Sequence, residues 1–244
     1  DTADTYSLGK SESRLGNFFH DFRSDVLIFT KGGAIPSLST PPFEIDFSHN
    51  YLISALDRSL KRLQTDYVDV FQAHAPPRSE SDFINLEKAF DIIKSENKAK
   101  SVGVSIGKNY NVGVSLIKRN MVDVLQITFS ILSTDSVNEL LSMANRNKIG
   151  IIVNRPLEEG IITDSFNTKK LSQDDFRKKY SSKFFKNKIK NVNLLKKSFS
   201  DYTLNNLALE YILYHSEIST CIPSSMNMKH IESNVNSSKI NLTE

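Results

Sequence analysis

The sequence predicts an α/β fold built from successive βα units around a parallel sheet. Three observations carry this. Short β-branched runs alternate in strict succession with amphipathic helical stretches, the pattern of right-handed βαβ units. Most of those runs are apolar throughout, as strands buried on both faces are. A doubly wound open sheet and a closed barrel both satisfy these two. The third is that no Gly-x-Gly-x-x-Gly turn follows any of the runs, which argues against a Rossmann-type open sheet and leaves the barrel.

The strands are expected at Val26–Thr30, Val68–Gln72, Ser101–Ser105, Val122–Thr128, Gly150–Val153 and Thr220–Ile222. The first helix is expected over Ser11–Phe22, where Leu15, Phe18, Phe19 and Phe22 share one face and read as core. Asn50–Leu63 places Leu52, Leu56, Leu60 and Leu63 at helical spacing. Ser81 or Asp82 is the expected cap of a helix reaching about Asn97. Further helices are expected at Val112–Asn120, Ser136–Asn147, Asn191–Ser198, Thr203–His215 and Met228–Asn236. Glu158–Phe185 breaks the rhythm. It is long, polar and Lys-rich, and reads as an insertion or lid rather than an interdomain linker.

Bulk composition narrows the class. In 244 residues, 39% are hydrophobic and 24% charged, enough apolar material for one sizeable core. A net charge of +3 is too mild to argue for a nucleic-acid partner. The basic residues from Lys183 to Lys197 read as a solvated helix face. With one cysteine, Cys221, an intrachain disulfide and a Cys-based zinc site are both ruled out. The apolar runs are too short to span a bilayer, and no charged-then-apolar leader opens the chain. The expectation is a soluble, cytoplasmic protein. The chain opens on Asp1 without an initiator Met, so an upstream stretch is expected to belong to it.

In a parallel barrel the ends of the strands converge on one mouth. Lys31 follows Val26–Thr30, His74 follows Val68–Gln72, and Asp1 and Tyr6 lie in Asp1-Thr2-Ala3-Asp4-Thr5-Tyr6 before the first helix. These four types have a joint use. A buried ammonium beside a phenol favours its ionised form, and a carboxylate beside the ammonium keeps that cation charged. Such a tyrosine can give a proton to a carbonyl oxygen, while a neutral histidine orients that oxygen. Each residue alone is a weak signal; all four near strand ends is a strong one. His20, His49 and His215 form no cluster at ligand spacing, so no metal site is expected.

The motifs resemble those of the aldo-keto reductases. Asp1-Thr2-Ala3-Asp4-Thr5-Tyr6 with Ser11-Glu12 and Leu15-Gly16 is similar to the first signature of that family. The run from Ala55 to Val70, with His74 beyond, looks like the second. Val102-Gly103-Val104-Ser105 and Ile222-Pro223-Ser224-Ser225 resemble two further blocks. The likeness covers nearly the whole chain. It implies a (β/α)8 TIM-type barrel that moves hydride between NADPH or NADH and an aldehyde or ketone. Metal and flavin have no part in that chemistry. Asp1, Tyr6, Lys31 and His74 match the family tetrad, with Tyr6 as proton donor. Ser105 and Gln126 match positions that hold the nicotinamide carboxamide. Asn154 sits where the nicotinamide is commonly stacked, although an aromatic residue is frequent there, and Arg155 next to it is likewise expected to bind the cofactor. Pro156, Leu157 and Gly160 match the pyrophosphate loop, and Ser225, His230 and Asn234 the adenine end.

Some positions depart from the family. Ile106 stands where Asn usually follows the Ser, and Ser224 and His230 stand where a cation often meets the 2′-phosphate of NADPH. Plainer readings are that Gln126 is a strand-end amide satisfying backbone groups, and that Asn154 and His230 are surface residues. The likeness also implies a first strand and most of a second ahead of Asp1. The 244 residues are therefore expected to form a single barrel domain truncated at its start and possibly at its end. The partner is a small carbonyl compound rather than nucleic acid or membrane, and oligomeric state is left open. Two other functions stand beside the reductase. One is a cofactor-binding regulatory or assembly protein with little turnover. The other, remote, is an isomerase or aldolase using Lys31 as a Schiff-base nucleophile.

Overall fold

The computed structural model describes residues 1–37, 44–133, 137–167, 171–179 and 182–238. Ser136, where a helix was expected to start, and parts of the predicted insertion (168–170 and 180–181) lie outside them. Six strands are described, β1 (Phe29–Gly32), β2 (Val68–Ala73), β3 (Ala99–Gly107), β4 (Val124–Thr128), β5 (Gly150–Asn154) and β6 (Thr220–Cys221). They form one sheet in sequential order β1-β2-β3-β4-β5-β6. Eight α-helices are described: α1 (Lys10–Phe19), α2 (His49–Leu63), α3 (Glu80–Ser95), α4 (Tyr110–Lys118), α5 (Asn138–Arg146), α6 (Ser182–Ser198), α7 (Leu204–Tyr214) and α8 (Met228–Ser237). This is the α/β succession the sequence predicts.

The chain divides into two compact units. The first comprises Asp1–Ile127 and Asn138–Ile151, the second Thr128–Val137 and Ile152–Glu244. In the first, β1, β2, β3 and β4 pair in parallel, with Lys31 opposite Gln72 and Ser105 opposite Gln126. Before β1, the amides of Thr2 and Asp4 donate to the carbonyls of Phe29 and Lys31 at 2.8 and 3.1 Å. That every-other-residue spacing is what a parallel neighbour makes. The helix layer packs on an apolar core: Leu52, Leu56, Leu63, Phe71, Leu86 and Phe90 are all buried. In the second unit β5 pairs in parallel with β6. Its core joins Ile161, Ile162, Val192, Leu204 and Ala208.

Period-2 alternation decides which side chains face the helices. A Cβ on Gly32 would meet Ala55 of α2 and Phe71 at 3.1 Å, so position 32 faces the helix layer. Thr30 faces the same way, donating to Glu12 of α1 at 2.5 Å. Lys31, between them, therefore points to the opposite side of the sheet.

Four expectations are corrected. β1 starts at Phe29, not Val26, because side chains take the earlier backbone groups. Arg23 donates to the Val26 carbonyl at 2.8 Å and the Ile28 amide donates to Asp69 at 2.8 Å. Lys31 thus lies inside the strand rather than after it. The cap of α3 is Ser79, which accepts from the Asp82 amide at 3.1 Å, rather than Ser81 or Asp82. α6 begins at Ser182, so the tail of the predicted insertion is helical. Phe18 is 68% exposed and Phe22 is exposed too. The three phenylalanines do share a face, but they stack edge-to-face on one another at 4.9–5.7 Å instead of entering the core. α1 turns Gly16 inward instead, and a Cβ there would lie 2.4 Å from the Arg62 carbonyl oxygen.

Candidate active site

The predicted tetrad comes together in the first unit. Lys31 is 1% exposed, and burial pulls its pKa down against the opposing pull of Tyr6. Its ammonium is satisfied by an ion pair to the Asp1 carboxylate, by the Thr2 carbonyl at 2.9 Å and by the Tyr6 hydroxyl at 3.4 Å. Tyr6 sits in a turn closed by its own amide on the Ala3 carbonyl, and keeps 42% of its surface open. The His74 ring stands edge-on to the Tyr6 ring at 5.7 Å, with Nδ1 3.4 Å from the Thr5 hydroxyl. Burial, helped by the charge on Lys31, drops the His74 pKa to about 4. The imidazole is therefore neutral near pH 7 and can donate or accept a hydrogen bond.

Two amides complete this cluster. Gln126 donates to Asp1 at 3.1 Å, and Ser105 donates to Gln126 at 3.4 Å. Gln72 donates to Asp1 at 3.5 Å. So the Asp1 carboxylate gathers one ammonium and two amide donors. Gln72 was not anticipated as a site residue. The available signal was a lone amide in an otherwise apolar strand, on the level of Lys31. Ile106 is fully buried in β3, and its apolar side chain offers no hydrogen bond.

A cleft of about 730 Å³ lies in the second unit, within the usual size range for small-molecule sites. Arg155, Pro156, Leu157 and Gly160 line it from the loop after β5. Ser225, His230 and Asn234 line it from the segment that enters α8. The backbone here is unusual, with Arg155, Glu158 and Glu159 at φ of 52°, 46° and 59° and Gly160 at 83°. Thr203 and Asn205 also line the cleft, so the first turns of both α7 and α8 border it, and the Leu204, Asn206 and Lys229 amides there donate to the Asp164, Thr203 and Asn227 side chains. Asn205 donates to Asn234 at 3.1 Å, tying the two helices together. Thr203 and Asn205 were missed because a capping threonine reads only as a helix start. Asn154 does not line the cleft; it accepts from Thr128 at 2.7 Å. The residues present fit a nucleotide cofactor, with apolar walls and with hydroxyl and amide donors. No group of three or more His, Cys, Asp or Glu suited to a metal is found among the described residues.

Comparison with known proteins decides the kinship. The aldo/keto reductase family model matches residues 1–244. The chain belongs to the aldo/keto reductase family. Its relatives include the aldo-keto reductase yakc [NADP(+)] of Schizosaccharomyces pombe, 25% identical over 264 residues, covering 100% of this chain and 74% of that one. The NADH-specific methylglyoxal reductase of Escherichia coli is also 25% identical, covering 100% of this chain and 79% of that one. Among solved structures, the holo form of aldo-keto reductase AKR11C1 from Bacillus halodurans superposes with a TM-score of 0.83 at 25% identity. That match covers 100% of this chain and 78% of the other. The fold class is thus that of the TIM-barrel aldo-keto reductases, and the family is one of oxidoreductases that use NAD(P)H. No helix among the described residues is long and apolar enough to cross a membrane.

Proposed function

We propose that this aldo-keto reductase reduces an aldehyde or ketone to an alcohol, with Tyr6 as proton donor. When bound, NAD(P)H supplies the hydride. The single observation that carries the reading is the buried Lys31 held between the Asp1 carboxylate and the Tyr6 hydroxyl. An ammonium in that place stabilises negative charge on the phenol oxygen as the proton leaves it. Neutral His74, edge-on to Tyr6, is suited to hold the carbonyl oxygen beside the phenol. The open face of Tyr6 is where a small carbonyl compound would approach. Ser105 and Gln126 form one hydrogen-bonded pair at the same cluster, in keeping with a role toward the nicotinamide amide. The residues of the cleft from Arg155 to Gly160, with Ser225, His230 and Asn234, would hold the remainder of the nucleotide. A cytoplasmic setting is part of the reading, and Cys221 would stay a thiol there, since burial pushes its pKa up to about 11.

A second reading, a nucleotide-binding protein of low turnover, is favoured by one observation. Asn154 spends its side-chain oxygen on Thr128 and does not line the cleft. One experiment separates the two. Oxidation of NADH and of NADPH is followed with a panel of aldehydes and ketones, for the wild type and for Tyr6→Phe, alongside nucleotide titration. The reductase reading expects turnover in the wild type and a loss of about 10²- to 10⁴-fold in Tyr6→Phe, with nucleotide affinity unchanged. Nucleotide binding without turnover on any carbonyl would sink it in favour of the second reading.

A further inference from the structure

We infer that the nucleotide cleft selects NADH over NADPH because its charges are already spent. This rests on the reductase reading above. NADPH differs from NADH by a 2′-phosphate, close to a dianion near neutral pH, which needs a matching cation or several strong donors. Among the described side chains lining the cleft there is one permanent cation, Arg155, against two carboxylates, Glu159 and Asp164. Arg155 is paired with Glu159 at 3.1 Å.

The cations just behind the lining are committed as well. Lys196 pairs with Asp164 at 3.2 Å. Arg177 pairs with Asp175 at 2.7 Å and donates to the Glu159 carbonyl at 3.1 Å. Lys188 is ion-paired with Glu158, which also accepts from Ser130 at 2.6 Å. The segment between β6 and α8 reads Ile222-Pro223-Ser224-Ser225-Met226-Asn227 and carries no charge. Lys229, the next cation, is exposed on α8 and does not line the cleft.

The pyrophosphate is common to both nucleotides, so whatever meets it does not discriminate between them. Among the described residues that line the cleft, a further phosphate dianion meets no cation that is not already ion-paired. Ser224 and Ser225 are suited instead to a free ribose hydroxyl, which gives and takes hydrogen bonds without charge.

Isothermal titration of the 244-residue chain with NADH and with NADPH tests this without any turnover. ADP and adenosine 2′,5′-diphosphate serve as fragment probes. NADH is expected to bind at least about tenfold more tightly than NADPH, and the gap should narrow as salt screens the repulsion. Two variants probe the cause. Ser224→Arg adds a cation at an exposed position, and Glu159→Gln releases Arg155. Each is expected to raise NADPH affinity several-fold relative to that for NADH. NADPH binding as tightly as NADH to the wild type overturns the inference, as does failure of both variants to move NADPH. Binding of neither nucleotide overturns the cofactor reading itself, which the first comparison distinguishes from a failure of selectivity alone.

Discussion

Asp4 carries a cost that its neighbours do not. It is 3% exposed, and neither carboxylate oxygen has a hydrogen-bond partner in good geometry. Burial first, then the charge of Glu12, raises its pKa from 3.8 to about 7, with Arg62 pulling the other way. A raised carboxyl favours the folded state when protonated. Its contribution is complete below about pH 4 and is lost as pH rises through about 7, at up to about 1.4 kcal/mol per pH unit. Asp4→Asn is therefore expected to be more stable than the wild type at pH 8 and no better at pH 4. Urea melts at the two values check this, and a pH-independent difference would refute it. His74 works in the opposite sense. Its folded pKa of about 4 lies below the ordinary 6.5, so its contribution is full above 6.5 and drains as pH falls toward 4. In His74→Gln the loss of melting temperature between pH 6.5 and 4.5 should shrink; if it is unchanged, another group dominates acid unfolding.

Site residues were legible at this scale to different degrees. Asp1, Tyr6, Lys31 and His74 are chemically conspicuous, and the structure brings them together. Gln72 was not legible. An amide on a strand has no meaning until its neighbour across the sheet is known, and here that neighbour is Lys31.

At the scale of elements, close approach matters more than propensity. α1 meets α2 through Gly16, where a Cβ would press on the Arg62 carbonyl and the Leu63 backbone at 2.4–2.8 Å. Backbone cannot yield as a side chain tip does. Gly16→Ala is expected to destabilise by at least about 1–3 kcal/mol, despite alanine's better helix propensity. A denaturation midpoint at or above the wild-type value would contradict that packing. Ser79→Ala should cost about 1 kcal/mol through loss of the α3 cap. The existence of nearly every element could be read from hydrophobic period. Boundaries could not where side chains compete for backbone groups, as Arg23 and Asp69 do ahead of β1. Phe18 and Phe22 misled for a related reason. Period shows that residues share a face, but not whether anything covers it.

For the molecule as a whole, the functional parts are assigned to separate units of the chain. The cluster of Asp1, Tyr6, Lys31 and His74, proposed to donate the proton, uses residues of the first unit, and the cleft proposed for the nucleotide is lined by residues of the second. A nucleotide at one hundred times its Kd should add about 2.7 kcal/mol of stability. For a protein of this size that raises Tm by about 2–4 °C per kcal/mol. Tyr6→Phe should keep this shift in full, because Tyr6 does not line the cleft. A thermal shift series with NADH on both proteins reads it out. Loss of the shift in the variant would mean that the phenol supports nucleotide binding.

The sequence by itself determined the α/β succession and the kinship, and it singled out the four residues that the structure brings together. These depend on residue order, on short-range periodicity and on side-chain chemistry that does not change with context. Only the tertiary structure decided that Lys31 lies within its strand and that Gln72 shares its level. It also decided that the Asp4 carboxylate is buried without a hydrogen bond in good geometry, and that Arg155, which lines the cleft, is already ion-paired. Those facts turn on which groups, far apart in the chain, reach a given charge or donor first. Burial and pairing are properties of neighbours in space, and a linear order of residues does not list them.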